Sequence, residues 1–194
     1  SANSIVVNTG TFTLEGDARL PAASAVTVGA LGTLQLGGDQ ALGTLQGSGR
    51  VELGTHTLST GMGGDAVFGG VISGDGALLK EGLSVFTLSG PNSYTGTTQV
   101  AAGTLALGAS NALPNTSAVQ VDDNAFLQLG GAATVGSITL AGTVNGSGTL
   151  SISTRTETLS EPYRFGADVI KPGEFVVIDV RDTGCGIPIE NLTR

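Results

Sequence analysis

The chain has one cysteine, Cys185, one histidine, His56, and no tryptophan among its 194 residues. A single cysteine excludes an internal disulfide and leaves only a dimer through Cys185 on oxidation. A single histidine excludes a paired-histidine site, and Thr55-His56-Thr57 reads as the solvent face of a strand. Aromatic residues make up 4% of the chain, so any core must be built from Val, Leu, Ile and Ala in thin layers. Basic residues are scarce: 8 Lys and Arg face 16 Asp and Glu, a net charge of −8. This balance argues against a nucleic-acid binder, which needs a basic stripe, and against charge-driven docking on anionic lipid. No run reaches 18 apolar residues, so no transmembrane helix is expected. No charged-then-apolar leader opens the chain, so no signal peptide is visible.

What is abundant is glycine, 32 residues without a third-residue period, which excludes collagen. Apolar residues make up 40%, too many for a disordered chain. The pattern is clearest in residues 74–108, GDGALLKEGLSVFTLSGPNSYTGTTQVAAGTLALG. Short apolar-alternating runs are separated by turns at Gly82, Ser89-Gly90-Pro91-Asn92 and Ala101-Ala102-Gly103. No run exceeds about eight residues, which suits strands. One such unit cannot bury its own apolar face and must stack on others.

Residues 1–16 read as strand, turn at Asn8-Thr9-Gly10, strand. Residues 25–28 and 33–36 are two more strands, divided by Gly29 and Gly32. Leu34-Gln35-Leu36-Gly37-Gly38 recurs as Leu127-Gln128-Leu129-Gly130-Gly131. Leu42-Gly43-Thr44-Leu45 returns as Val135-Gly136-Ser137-Ile138. Such repetition points to a solenoid. Rungs of roughly 20–30 residues give about five to seven coils in the first 150 residues. At about 4.8 Å per stacked strand the rod is about 25–35 Å long.

Residues 74–108 resemble the passenger-associated repeat of autotransporters, secreted β-helical proteins of Gram-negative bacteria. The matching residues are Gly74, Gly76, Leu79, Lys80, Gly82, Thr87-Leu88-Ser89-Gly90, Asn92, Tyr94-Thr95-Gly96, Thr98, Val100 and Gly103-Thr104-Leu105. The resemblance implies an all-β fold, a right-handed parallel β-helix over residues 1–150. It further implies a passenger fragment at the bacterial cell surface or secreted, acting as a stalk or adhesion surface; passengers of that family include serine proteases, but no catalytic set is present here, so the fragment reads as non-enzymatic. Host-surface and edge-to-edge self-association partners follow from it. The absence of cysteine before Cys185 fits export through an oxidising compartment. An autotransporter also has a signal peptide and a C-terminal barrel, so an excised fragment is expected.

Residues 151–194 differ. Glycine thins, and Arg155, Arg164, Lys171, Arg181 and Arg194 gather there. Residues 174–180, EFVVIDV, read as a buried strand, and residues 189–194 as a helix start behind Pro188. Residues 170–194, with Asp182-Thr183-Gly184-Cys185-Gly186-Ile187-Pro188, resemble the first glycine box of the ATP-binding domain of sensor histidine kinases. That resemblance implies ATP with Mg as cofactor, Asp182 on the adenine amino group, and Gly184 and Gly186 in the pocket wall. Residues 149–158 resemble the strand preceding that box. The magnesium-holding asparagine helix, the phosphoacceptor histidine, the second glycine box and the lid are not found. The segment therefore reads as a truncated, inactive, non-solenoid α+β piece joined to a passenger fragment. Two expectations stand for it: its apolar strand caps the open end of the rod, or the segment is poorly ordered.

Other candidates carry less chemistry. Asp122-Asp123-Asn124 could bind calcium in a turn, and Gly61-Met62-Gly63-Gly64-Asp65 resembles a glycine-aspartate calcium coil that does not repeat; both read as ordinary turns and no metal is expected. No G-x-S-x-G elbow or phosphate loop occurs, so no catalytic residue is expected. Lys80 beside Glu81 reads as a solvated turn, and Phe86 and Tyr94 as packing residues. Asn115, Asn145 and Asn191 open glycosylation sequons.

Overall fold

The computed structural model describes residues 3–16, 20–147, 150–152, 156–159, 163–165, 168–170 and 173–176, with backbone alone from residue 151 onward. Its described strands from Ser4 to Ile152 pair in parallel, rung upon rung, into a β-solenoid of about seven turns. No helix occurs among the described residues.

Each turn visits three faces. The first face stacks residues 4–7, residues 25–28, Thr44–Gly47, Ala66–Phe68, Val85–Leu88, Thr104–Leu107, Phe126–Leu129 and Thr143–Gly146. The second stacks residues 9–14 on residues 31–36, then Arg50–Glu52 and Val71–Ser73. After two irregular rungs, it resumes where Ala133–Val135 pairs with Leu150–Ile152. The third runs Gln40–Leu42, Thr57–Thr60, Ala77–Lys80, Thr98–Val100, Ala118–Val121, Ser137–Leu140.

Alternation explains the core. On each strand every second side chain points inward and lands on its counterpart in the next rung. Val26 sits on Leu45, and Phe86 sits on Leu105, Leu127 and Val144 in turn. Leu58, Leu78, Thr98 and Val119 form a parallel column on the third face. The rungs are thin, so Val and Leu fill them with few aromatics; Phe68, Phe86 and Tyr94 are the largest apolar side chains wholly inside.

Rungs fall at the short end of the expected range. Leu105 meets Leu127, twenty-two positions on, and Leu58 meets Leu78, twenty on, while Phe86 meets Leu105, nineteen on, and Leu127 meets Val144, seventeen on. The two runs expected at the amino end, and the two expected at 25–28 and 33–36, are each one bent strand, Ser4–Leu14 and Ala25–Leu36. The expected turn at Asn8-Thr9-Gly10 is a corner in the first of these. Register shifts between Val7 and Thr9, and Gly10 takes φ 75. Leu34 and its echo Leu127 occupy different faces, the second and the first. The echo is therefore a strand-and-glycine corner used twice out of phase, and its two copies do not stack.

Glycine at the corners is a packing requirement where rungs touch. Gly61, Gly82 and Gly103 stand one above another between the third and first faces, with φ +112, +66 and +66. A β-carbon on Gly82 would run into the Gly61 carbonyl oxygen, and one on Gly103 into that of Gly82.

In the tail, Thr156–Leu159 pairs antiparallel with Gly173–Val176, and Tyr163–Phe165 with Asp168–Ile170. The expected buried strand is thus described only as far as Val176. The expected helix start lies outside the described residues. Leu150–Ile152, within the stretch likened to a kinase strand, is a solenoid rung.

Candidate functional site

The chemistry of this chain is concentrated in buried polar side chains of residues 80–117, which tie successive rungs together. Lys80 occupies an inward position, stacked between Thr60 and Val100, and is wholly buried. Its ammonium reaches the stacked-glycine corner and donates to the carbonyl oxygens of Glu81 (2.7 Å), Gly82 (2.9 Å) and Ala102 (3.1 Å). An ammonium has three protons, so all are used. The last bond crosses to the next rung. Gly61 leaves the space: a β-carbon there would stand 2.8 Å from Lys80 Cε and Nζ. Burial pulls the Lys80 ammonium down from 10.5 to about 8, with Asp65 opposing. The expectation of a solvated turn at Lys80 is therefore overturned. The missed signal was alternation, since Leu78 faces inward and residue 80 must follow it.

Asn92 is a second tie. Its side-chain oxygen accepts from the Ile72 N–H at 2.8 Å in the rung below, and its Nδ2 donates to the Ala112 carbonyl at 2.6 Å in the rung above. Nδ2 also donates to the Gly90 carbonyl at 3.3 Å. A short amide thus stands in for the backbone where the second face loses its regular strands.

Tyr94 is wholly buried, as its packing role requires. Its hydroxyl lies 2.6 Å from Thr98 Oγ1, which lies 3.2 Å from Ser117 Oγ. Ser117 Oγ in turn donates to the Gly96 carbonyl at 3.2 Å. Burial pushes the Tyr94 phenol well above its ordinary value, against the Thr98 hydrogen bond. Phe86 is also buried, in agreement with the sequence.

The remaining candidates are not brought together. His56 lies in the turn before Thr57–Thr60, not on a strand face, with Nδ1 3.9 Å from Asp39. Asp122-Asp123-Asn124 is a turn: Ala125 N–H donates to Asp122 O, and Asn124 takes φ 62. The Asp122 carboxylate accepts from Gln99 and Gln120. Asp65 accepts from the Val85 N–H, pinning the glycine turn before it. Among the described residues no group of three His, Cys, Asp or Glu converges, and no helix is long and apolar enough to cross a membrane. Asn115 and Asn145 are exposed, while the hydroxyl that completes the first sequon, on Ser117, is buried. Asn191, Cys185, and the adenine-pocket candidates Asp182, Gly184 and Gly186, lie outside the described residues.

No curated protein and no solved structure matches the chain at a significant level. A family model described as the passenger-associated-transport-repeat matches residues 78–107, the stretch that holds Lys80, Asn92, Tyr94 and Thr98. The match and the β-solenoid together support the likeness to an autotransporter passenger.

Proposed function

We infer that this chain is a stalk segment of an autotransporter passenger, non-catalytic, carried on the bacterial surface or secreted. The observation that carries the reading is the position of the matched repeat. Residues 78–107 lie mid-way along an unbroken parallel ladder on the first face, so the repeat is part of a rod. A rod of this kind works mechanically. Its backbone hydrogen bonds run along its length, and its corners present loops at fixed height. The family of the repeat implies a surface or secreted location, and a stacked rod suits display. Adhesion to a host surface, or to a second copy, is the role such display would serve.

Surface display tests the reading. The chain would be placed between a secretion leader and an outer-membrane barrel in a Gram-negative host. Intact cells should then carry it outside, where added protease releases a folded, resistant solenoid. Retention in the periplasm, or complete digestion of an exposed chain, would overturn it.

A further inference from the structure

The wall of the rod opens on its second face. Below the opening, Val71–Ser73 is laddered to residues 93 and 95. Ser93 N–H donates to Ile72 O and Thr95 N–H to Gly74 O, each at 2.9 Å. Above it, residues 110–116 leave the ladder. No main-chain hydrogen bond joins them to residues 91–95 among the described residues, and the amide of Asn92, on Ala112 O, spans the gap. The causes are local. Pro91 and Pro114 have no N–H to give. Asn111 takes φ 62. The rung is also long, with Leu127 twenty-two positions above Leu105, where Leu105 is nineteen above Phe86.

The gap is a cleft of about 260 Å³ whose rim includes the exposed residues Pro91, Ser93, Asn111, Asn115 and Thr116. None of its lining residues is charged, in a chain of net charge −8. The lining combines amides and hydroxyls, which both donate and accept, with the exposed ring of Pro91, while Leu113 and Pro114 are buried behind it. An ionic ligand would find no counter-charge here. A purely apolar one would strand the peptide groups that the missing ladder leaves unpaired. A flat base would find no stacking platform, because Tyr94 is wholly buried. A neutral ring bearing hydroxyls satisfies both halves of the lining. Its hydroxyls pair with the amides and peptide groups, and its C–H face lies on Pro91.

We propose that this cleft binds one residue of a neutral saccharide, with the Asn111 and Asn115 side chains as its hydrogen-bonding pair. The proposal does not rest on the stalk reading. The cleft is open and makes few contacts, so affinity is of millimolar order.

The test is a titration of the full chain by amide NMR. The probes are methyl α-glucoside, methyl β-galactoside and N-acetylglucosamine, each to about 50 mM, well above the millimolar affinity expected. At least one should give saturable shifts confined to the amides of residues 92–94 and 111–116. The double variant Asn111→Gly, Asn115→Ala should lose that binding at least tenfold, with resonances on the other faces unmoved. Glycine keeps the positive φ at 111, and both side chains are exposed, so the fold is preserved. Overturning results are no saturable shift with any probe, shifts spread over all three faces, or binding unchanged in the double variant.

Discussion

Replacing Lys80 by methionine keeps the length and apolar stem of the side chain and removes its charged end. Three charge-assisted hydrogen bonds would be lost, each contributing about 1.5–3 kcal/mol net. Against this stands the cost of burying the ammonium. A fall from 10.5 to about 8 corresponds to about 3 kcal/mol at neutral pH. The bonds win by about 1.5–6 kcal/mol, so Lys80→Met should destabilise the chain by that much at pH 7, at about 2–4 °C in Tm per kcal/mol. The pH profile supplies an independent readout. Between about pH 8 and 10.5 the unfolded chain holds the Lys80 proton more tightly than the folded one. Stability of the wild type must therefore rise through that window, by at most about 2 kcal/mol up to pH 9.5. Tyr94 acts in the opposite sense: its phenol is raised, so the unfolded chain ionises first, near pH 10.0, and stability falls beyond. Urea unfolding at pH 7, 8 and 9.5 compares the two proteins. The wild type should gain with pH and the variant should not. Equal stability at pH 7, to within about 0.5 kcal/mol, would refute the carbonyl-bound ammonium, a loss at the scale of surface substitutions. Parallel pH profiles would refute its burial cost.

Asn92→Ala should leave the buried Ile72 N–H and Ala112 C=O without partners, costing about 1–3 kcal/mol for each. Hydrogen exchange should show the Ile72 amide losing its protection while amides on the first face keep theirs. Gly61→Ala places a β-carbon against the Glu81 carbonyl and the Lys80 side chain at φ +112; it should cost about 2–4 kcal/mol and abolish the pH dependence assigned to Lys80. Tyr94→Phe removes one hydroxyl while Thr98 keeps Ser117; thermal unfolding should report a loss of about 1 kcal/mol.

These ties show where local sequence stops informing. Phe86 and Tyr94 were legible as core because aromatics are scarce and both flank the core of the repeat. Lys80 was not, because a lysine beside Glu81 and Gly82 is usually solvated, and its burial depends on carbonyls supplied partly by Ala102 in the next rung. Asn92 was legible only as part of a motif. Its role needs Ile72 and Ala112, each twenty positions away. The echo of Leu34 at Leu127 misled because local pattern records a strand and corner, not the face they occupy.

The residues alone determined that the solenoid is all β. Branched and leucine-rich runs of four or so residues, cut by glycine, leave no stretch long enough for a helix and no unit able to bury its own face. They also set where the chain turns, since Gly61, Gly82 and Gly103 accept backbone angles that other residues resist. Stacking decided the rest: the rung length, the face each strand occupies, and the inward fate of Lys80 and Asn92. Those depend on hydrogen bonds to residues about twenty positions away, and a parallel ladder fixes such pairings only when neighbouring rungs are both in place.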